Sequence, residues 1–157
     1  MRIAVGTDHA GFELLAQLKV FLQELGHEVA DYGPESLNPD DDYPDFIFPA
    51  AQAVARGDCQ YGVILGGSGQ GEAIAANRLK NVRCAVFYGN LTNGDDPLEI
   101  IRLSRQHNDA NILSLAARFI DLDQAKQAVQ TWLDTPFSGD ERHKRRIEKL
   151  DQIGEKA

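Results

Sequence analysis

The chain carries Gly66-Gly67-Ser68-Gly69-Gln70-Gly71-Glu72 directly after the apolar run Val63-Ile64-Leu65. Four glycines let a backbone turn tightly and come close to a bound group. Glu72 to Arg78 reads as the start of a helix, so the order is strand, glycine-rich loop, helix N-terminus, an arrangement suited to anions. A carboxylate beside such a loop opposes a bound negative charge, and Glu72 therefore points to a second task, moving a proton. The loop lacks the Lys-Ser/Thr pair of a nucleotide-triphosphate loop. Its glycine spacing does not match the dinucleotide fingerprint G-x-G-x-x-G. A hydrolase elbow fails as well, because Gln70 stands where its second glycine is required. Ser68 reads instead as a hydrogen-bond donor to a developing oxyanion. The alternative is a tight strand-to-helix turn that binds nothing.

Three further groups could share in this chemistry. Asp8 and His9 lie in the loop Gly6-Thr7-Asp8-His9-Ala10-Gly11, where they can bind sugar hydroxyls or help move protons. Helix capping by Asp8 with a solvent-facing His9 is the plainer reading. His107, followed by Asn108 and Asp109, stands in a run of polar groups that is either structural or functional. Arg142 and Arg146 are spaced i,i+4 on one helix face, and two guanidinium groups so placed suit a phosphate. A solvated face is the competing reading. Arg118 is a third candidate for the phosphate.

These residues need elements to position them. Ile3-Ala4-Val5, His27 to Tyr32, Tyr61 to Leu65, Arg83 to Tyr88 and Asn111 to Leu115 read as strands. Between and after them, helical periods run over Phe12 to Leu25, Tyr43 to Arg56, Glu72 to Leu79, Leu98 to His107, Asp121 to Leu133 and Gly139 to Gly154. Pro44 and Pro49 leave the first half of the second helix open. Strands alternating with helices predict an α/β fold: a Rossmann-like three-layer α/β/α sandwich with a five-stranded parallel sheet and a C-terminal helix. The expected strand order is 2-1-3-4-5. Ligands of such sheets sit beyond the strand carboxyl ends, where the Asp8 loop and the glycine loop meet.

The 157 residues suit one domain, 1–157, with 43% apolar and 25% charged residues. A net charge of -8 argues against nucleic acid as a partner. No apolar run approaches the ~20 residues of a membrane helix. The opening Met1-Arg2-Ile3-Ala4-Val5 has no signal-peptide layout, and Cys59 and Cys84 lack metal-type spacing, which together predict a cytoplasmic protein.

Taken in order, Gly6 to Gly11, Asp42-Tyr43-Pro44, Gly66 through Asn77, Ser104 to Asp109, Arg118, and Arg142-His143 with Arg146 span most of the chain. In these motifs it resembles the type B ribose-5-phosphate isomerases, within the group that includes the galactose-6-phosphate isomerase subunits. The resemblance implies a metal-independent aldose–ketose isomerase without cofactor, acting on a small sugar phosphate. It also implies a homodimer or homotetramer with active sites at the subunit interface. Asp8, His9 and Tyr43 would contact substrate, and Gly67, Ser68, Gly69, Gln70 and Gly71 would form the anion hole for an enediolate. His107 would assist ring opening, with Asn108 binding nearby. Arg118, Arg142 and Arg146 would hold the phosphate. One branch of the family carries a cysteine base at the position of Gly66. The other places a glutamate after the last loop glycine, and Glu72 matches it as catalytic base. The loop from Tyr88 to Glu99 is longer than in compact members.

The expected reaction is interconversion of ribose 5-phosphate and ribulose 5-phosphate through a cis-enediolate. Alternatives are isomerisation of another sugar phosphate, such as allose or galactose 6-phosphate, and a non-catalytic sugar-phosphate-binding subunit. A flavodoxin-like mononucleotide module is the reading that the fold alone would allow.

Overall fold

The computed structural model describes residues 1–89 and 96–153. Five parallel strands form one sheet: β1 (Arg2–Thr7), β2 (Glu28–Asp31), β3 (Tyr61–Gly66), β4 (Cys84–Phe87) and β5 (Ile112–Ala116). Helices α1 (Phe12–Glu24), α2 (Pro44–Ala55), α3 (Gln70–Ala76), α4 (Glu99–Gln106), α5 (Leu122–Asp134) and α6 (Glu141–Ile153) complete the chain. Side chains alternate across each strand. Ile3, Val5, Val63, Leu65, Leu113 and Leu115 face the layer of α1, α4 and α5, where Leu18, Ile101 and Trp132 are buried. Ala4, Ile64 and Ile112 face the opposite layer, built on Ile47, Ala50, Ala51 and Val54 of α2 and Ala76 of α3. The three-layer α/β/α expectation therefore holds.

The strand order is 2-1-3-5-4, not 2-1-3-4-5. Burial explains the exchange. Every residue of β5 is buried, so it takes the inner place beside β3, while β4 has only Phe87 fully buried and forms the edge. The switch point between β1 and β3 is unaffected, and in sheets of this kind ligands bind at that point. Helix α2 runs unbroken through Pro49, because burial of Ile47, Ala50 and Ala51 outweighs local propensity. Helix α3 begins at Gln70, two residues before the predicted start, since Gly69 turns left-handed (φ 72°) and the helix follows at once.

Helix α6 buries only His143. Leu150 and Ile153 stay exposed. Of the extended loop between β4 and α4, residues 90–95 lie outside the described residues. Among the described residues, no helix is long and apolar enough to cross a membrane.

Candidate active site

The end of β3 carries the first half of the site. The turn after β5 is tied to the glycine loop: Ala117 N–H donates to Gly66 C=O at 2.9 Å, and Arg118 N–H to Gly67 C=O at 3.2 Å. These bonds occupy loop carbonyls, while the N–H groups of Gly67, Ser68 and Gly69 have no acceptor among the described residues. Successive N–H groups around a left-handed residue form a concave anion nest. The buried Ser114 hydroxyl donates to Gly69 C=O at 2.7 Å and pins the loop from β5. The Ser68 hydroxyl accepts from Gln70 N–H at 3.3 Å, which leaves its own proton free to donate. Ser68 and Gln70 are both exposed.

Glu72, in the first turn of α3, points back under this loop and is 4% exposed. A Cβ on Gly66 would fall 2.6 Å from Glu72 Oε2 and closer still to Oε1, so only glycine lets the carboxylate lie there. Oε2 is buried with no hydrogen-bond partner. Burial pushes the Glu72 carboxyl above its ordinary pKa of 4.5. Its own backbone N–H counteracts this, and the Asp8 charge adds to the rise. A carboxylate with an upward-shifted pKa and a free oxygen is equipped to accept a proton.

The surrounding groups come from three other segments. The Tyr43 ring lies against Gly71, whose Cβ would meet its hydroxyl at 3.0 Å. The Arg118 guanidinium lies over Gly67 in the same sense, with a would-be Cβ 3.2 Å from Cζ. Asp8 caps the single helical turn His9–Gly11 by accepting from Ala10 N–H at 2.9 Å. His9 does not face solvent freely, as the plainer reading expected. Its Nδ1 stands 2.7 Å from Asp41 Oδ1, and its pKa is raised, chiefly by that hydrogen bond. Asp8, His9 and Asp41 are also the one group of metal-ligand type found among the described residues, with atoms within 4.8 Å of one another. The 2.7 Å separation between Nδ1 and Oδ1 is that of a hydrogen bond rather than of two ligands sharing an ion.

The other predicted residues lie at the opposite ends of the strands. In a parallel sheet, segments entering strands collect at their amino ends and segments leaving them at their carboxyl ends. His107 and Asn108 precede β5, and α6 starts beside them, with Ser138 N–H donating to Gln106 C=O at 3.1 Å. Five residues of β5, at about 3.3 Å each, put about 16 Å of sheet between this cluster and the glycine loop. The His107 ring packs on His143 at 4.3 Å between centroids. Burial lowers the His143 pKa, and its Nδ1 is 2.9 Å from Ser138 Oγ. Asn108, Arg142 and Arg146 are exposed. One chain thus assembles Asp8, His9, Tyr43, Gly67 to Gly71, Glu72 and Arg118, and holds His107, Asn108, Arg142 and Arg146 apart from them.

Two supporting residues escaped the sequence. Asp41 sits in the run Asp40-Asp41-Asp42, which reads as a solvated loop, and no spacing singles it out. Arg105 is 4% exposed and anchors the His107 segment. It donates to Asp109 Oδ1 at 2.7 Å, Ala110 C=O at 2.6 Å, Tyr61 OH at 2.8 Å and Thr135 C=O at 3.2 Å.

A doubly wound sheet with a buried carboxylate under a loop of free N–H groups at its switch point defines a class of fold suited to small anionic ligands. The family described as Ribose/Galactose Isomerase matches residues 3–150, and the chain belongs to it. A ribose-5-phosphate isomerase B of Mycolicibacterium paratuberculosis is 39% identical over 150 residues, covering 96% of this chain and 89% of that one. The ribose-5-phosphate isomerase B structure from Clostridium thermocellum superposes with a TM-score of 0.90 at 40% identity, covering 99% of both chains. That of Mycoplasma genitalium with bound ribulose 5-phosphate gives a TM-score of 0.90 at 32% identity, over 99% of this chain and 97% of the other.

Proposed function

We propose that this chain is an aldose–ketose isomerase that interconverts ribose 5-phosphate and ribulose 5-phosphate, with Glu72 as the base. The observation that carries the reading is the Glu72 carboxylate, buried against Gly66 with Oε2 unpartnered. In the forward direction Glu72 takes the proton from C2 of the open-chain aldose, and negative charge moves onto O1 as the C1–C2 double bond forms. The N–H groups of Gly67, Ser68 and Gly69, with the Ser68 hydroxyl, stabilise that cis-enediolate. Glu72 then returns the proton to C1 while the O2 proton passes to O1, giving the ketose with its C2 carbonyl and C1 hydroxyl. No metal is needed in this sequence, because the loop supplies the electrophile and Glu72 the base.

The separation of His107, Arg142 and Arg146 from Glu72 supports a site shared between two copies of the chain. In that arrangement the partner's α4–β5 segment and α6 bring a ring-opening histidine and the phosphate-binding arginines to the glycine loop. A homodimer with two such sites follows from two-fold symmetry. Two unpaired cysteines suit the reducing cytoplasm.

A panel of ribose, allose and galactose phosphates, assayed with a chelator present, tests substrate and metal independence together. Turnover highest with ribose 5-phosphate and unchanged by chelator is the expected result. Preference for a six-carbon sugar would reassign the substrate. Binding without turnover of any of them would make the chain a non-catalytic subunit.

A further inference from the structure

Asp41 belongs to none of the motifs that the isomerase reading uses, yet its carboxylate takes two of the donors that His9 offers, the backbone N–H and Nδ1. Oδ1 accepts from the His9 backbone N–H at 3.1 Å and stands 2.7 Å from the ring Nδ1. The Asp41 side chain is 7% exposed, and Oδ2 is buried without a hydrogen-bond partner. An ionised carboxylate in that setting requires a positive partner at close range, and the His9 ring is placed to be one. Asp8 Oδ2 lies 3.9 Å from the same Nδ1. Two carboxylates on one side of the ring keep a proton on Nδ1 and favour a second on Nε2. Arg118 and partial burial act in the opposite direction, and Glu13 shares the cleft in front of the ring. The balance favours the charged ring, with the Asp41 bond as its largest cause.

The free side of the ring has somewhere to act. Nε2 has no partner among the described residues. His9 lines a cleft of about 330 Å3 with Ala10, Glu13, Leu37 and Ala117, next to Arg118 in sequence. A ring held charged by two carboxylates is a poor base, since it gives up its proton reluctantly. It is a good partner for an anion, because hydrogen bonds between charged groups are the strong ones.

We propose that Asp41 is a positioning residue of the site. It fixes the His9 imidazole with Nδ1–H on its own carboxylate, so that a charged Nε2–H is presented to the phosphate group of the substrate. The identity of that substrate rests on the isomerase reading; the His9–Asp41 couple does not.

Asp41→Asn tests it, because the amide keeps the shape and an oxygen for the His9 N–H. With kcat little changed, KM for ribose 5-phosphate should rise about tenfold near pH 8, as loss of a charge-assisted hydrogen bond would. The Kd for inorganic phosphate should rise by the same factor. Both ratios of variant to wild type should shrink towards one near pH 5.5, where the ring is protonated in either protein. Taking ratios at each pH cancels the titration of phosphate itself. In a His9→Asn background the same change should add nothing further. Nitrogen-15 spectra of the wild-type imidazoles should show His9 keeping both ring protons to a higher pH than an ordinary imidazole and reverting to Nδ1–H as it titrates. Phosphate affinity and the nitrogen spectrum need no turnover, so they still decide the matter if ribose 5-phosphate proves not to be the substrate. The spectrum decides it if Asp41→Asn does not fold. An unchanged phosphate Kd, a loss equal at every pH, a loss in kcat alone, or a neutral His9 protonated only on Nε2 would each overturn the proposal.

Discussion

The carboxylate of Glu72 fills the space that a side chain at position 66 would need. Backbone and carboxylate are thereby coupled across the glycine loop, since any Cβ on Gly66 collides with Glu72 Oε1 and stands 2.6 Å from Oε2. Gly66→Ala should consequently expel the carboxylate from its place. Because overpacking of this kind costs about 1–3 kcal/mol, the variant should fold with a lowered Tm. Its kcat should fall at least about 100-fold, the lower end of what a general base contributes. Wild-type kcat in the Gly66→Ala enzyme would show that the observed placement of Glu72 is not the working one.

Glu72→Gln should lower kcat by about 100- to 10,000-fold with KM little altered. Stability should move the other way, with a defined sign. The folded state holds the Glu72 proton more tightly than the unfolded chain, whose pKa is near the ordinary 4.5. As pH rises above that value the unfolded state loses the proton first, so native stability falls until the raised folded pKa is passed. Gln has no proton to lose. The Tm of the variant relative to wild type should therefore climb from about pH 4 to pH 7. In the wild type, kcat should fall on the acid side with a midpoint above 4.5. A Tm difference that stays flat with pH would refute the assignment of burial as the cause.

Mixing two inactive variants tests whether the site is shared. If Glu72 comes from one copy and Arg142 with His107 from the other, a dimer of one Glu72→Gln chain and one His107→Asn chain holds one intact site and one doubly altered site. Random reassociation should restore about a quarter of wild-type activity. No recovery, with mixed dimers verified by mass spectrometry, would place all these groups in one chain.

Arg142→Ala should raise KM for the sugar phosphate about tenfold, as loss of a charge-assisted contact would. Its side chain is 61% exposed, and its nearest ion-pair partner is Asp140 at 4.0 Å. Tm should accordingly stay within the range of ordinary surface substitutions, about 0.5 kcal/mol. A change in Tm alone would return Arg142 to the solvated-face reading.

Arg105→Met should behave oppositely. Removing the guanidinium leaves Asp109 and the carbonyls of Ala110 and Thr135 without a donor they now share. Asp109 is 35% exposed and keeps its bond from Arg83, so the loss is mainly that of the unpaired carbonyls, about 1–3 kcal/mol. Denaturant titration should show that loss, and His107 function should suffer with it, because Asp109 and Ala110 shape the turn that follows His107.

The parts of the site that could be read from residue order are those whose chemistry is local. Gly66 to Glu72 are consecutive, so their types alone imply a strand end, a glycine turn and a carboxylate in the first turn of the next helix. The fold class was legible for a similar reason: apolar runs and helical periods alternate regularly from Ile3 to Leu133. Asp41 was not legible, because its partner His9 is 32 residues away and the acidic run around it looks like solvent-facing loop. Nor was the exchange of β4 and β5, which depends on how completely each strand is buried rather than on its apolar pattern.

By itself the sequence determined which chemical groups are available, which elements carry them, and that the loops after β1 and β3 should meet, because parallel strands must end together. Only the tertiary structure decided how those groups are used. It placed Glu72 in the space left by Gly66, paired His9 with Asp41, and set β5 inside β4. It also put His107 and the arginines of α6 at the amino ends of the strands, away from the glycine loop. The physical reason is common to all four: each depends on burial and long-range packing, where the cost of leaving a polar group unpaired or a core unfilled is settled by the whole fold rather than by any local run of residues.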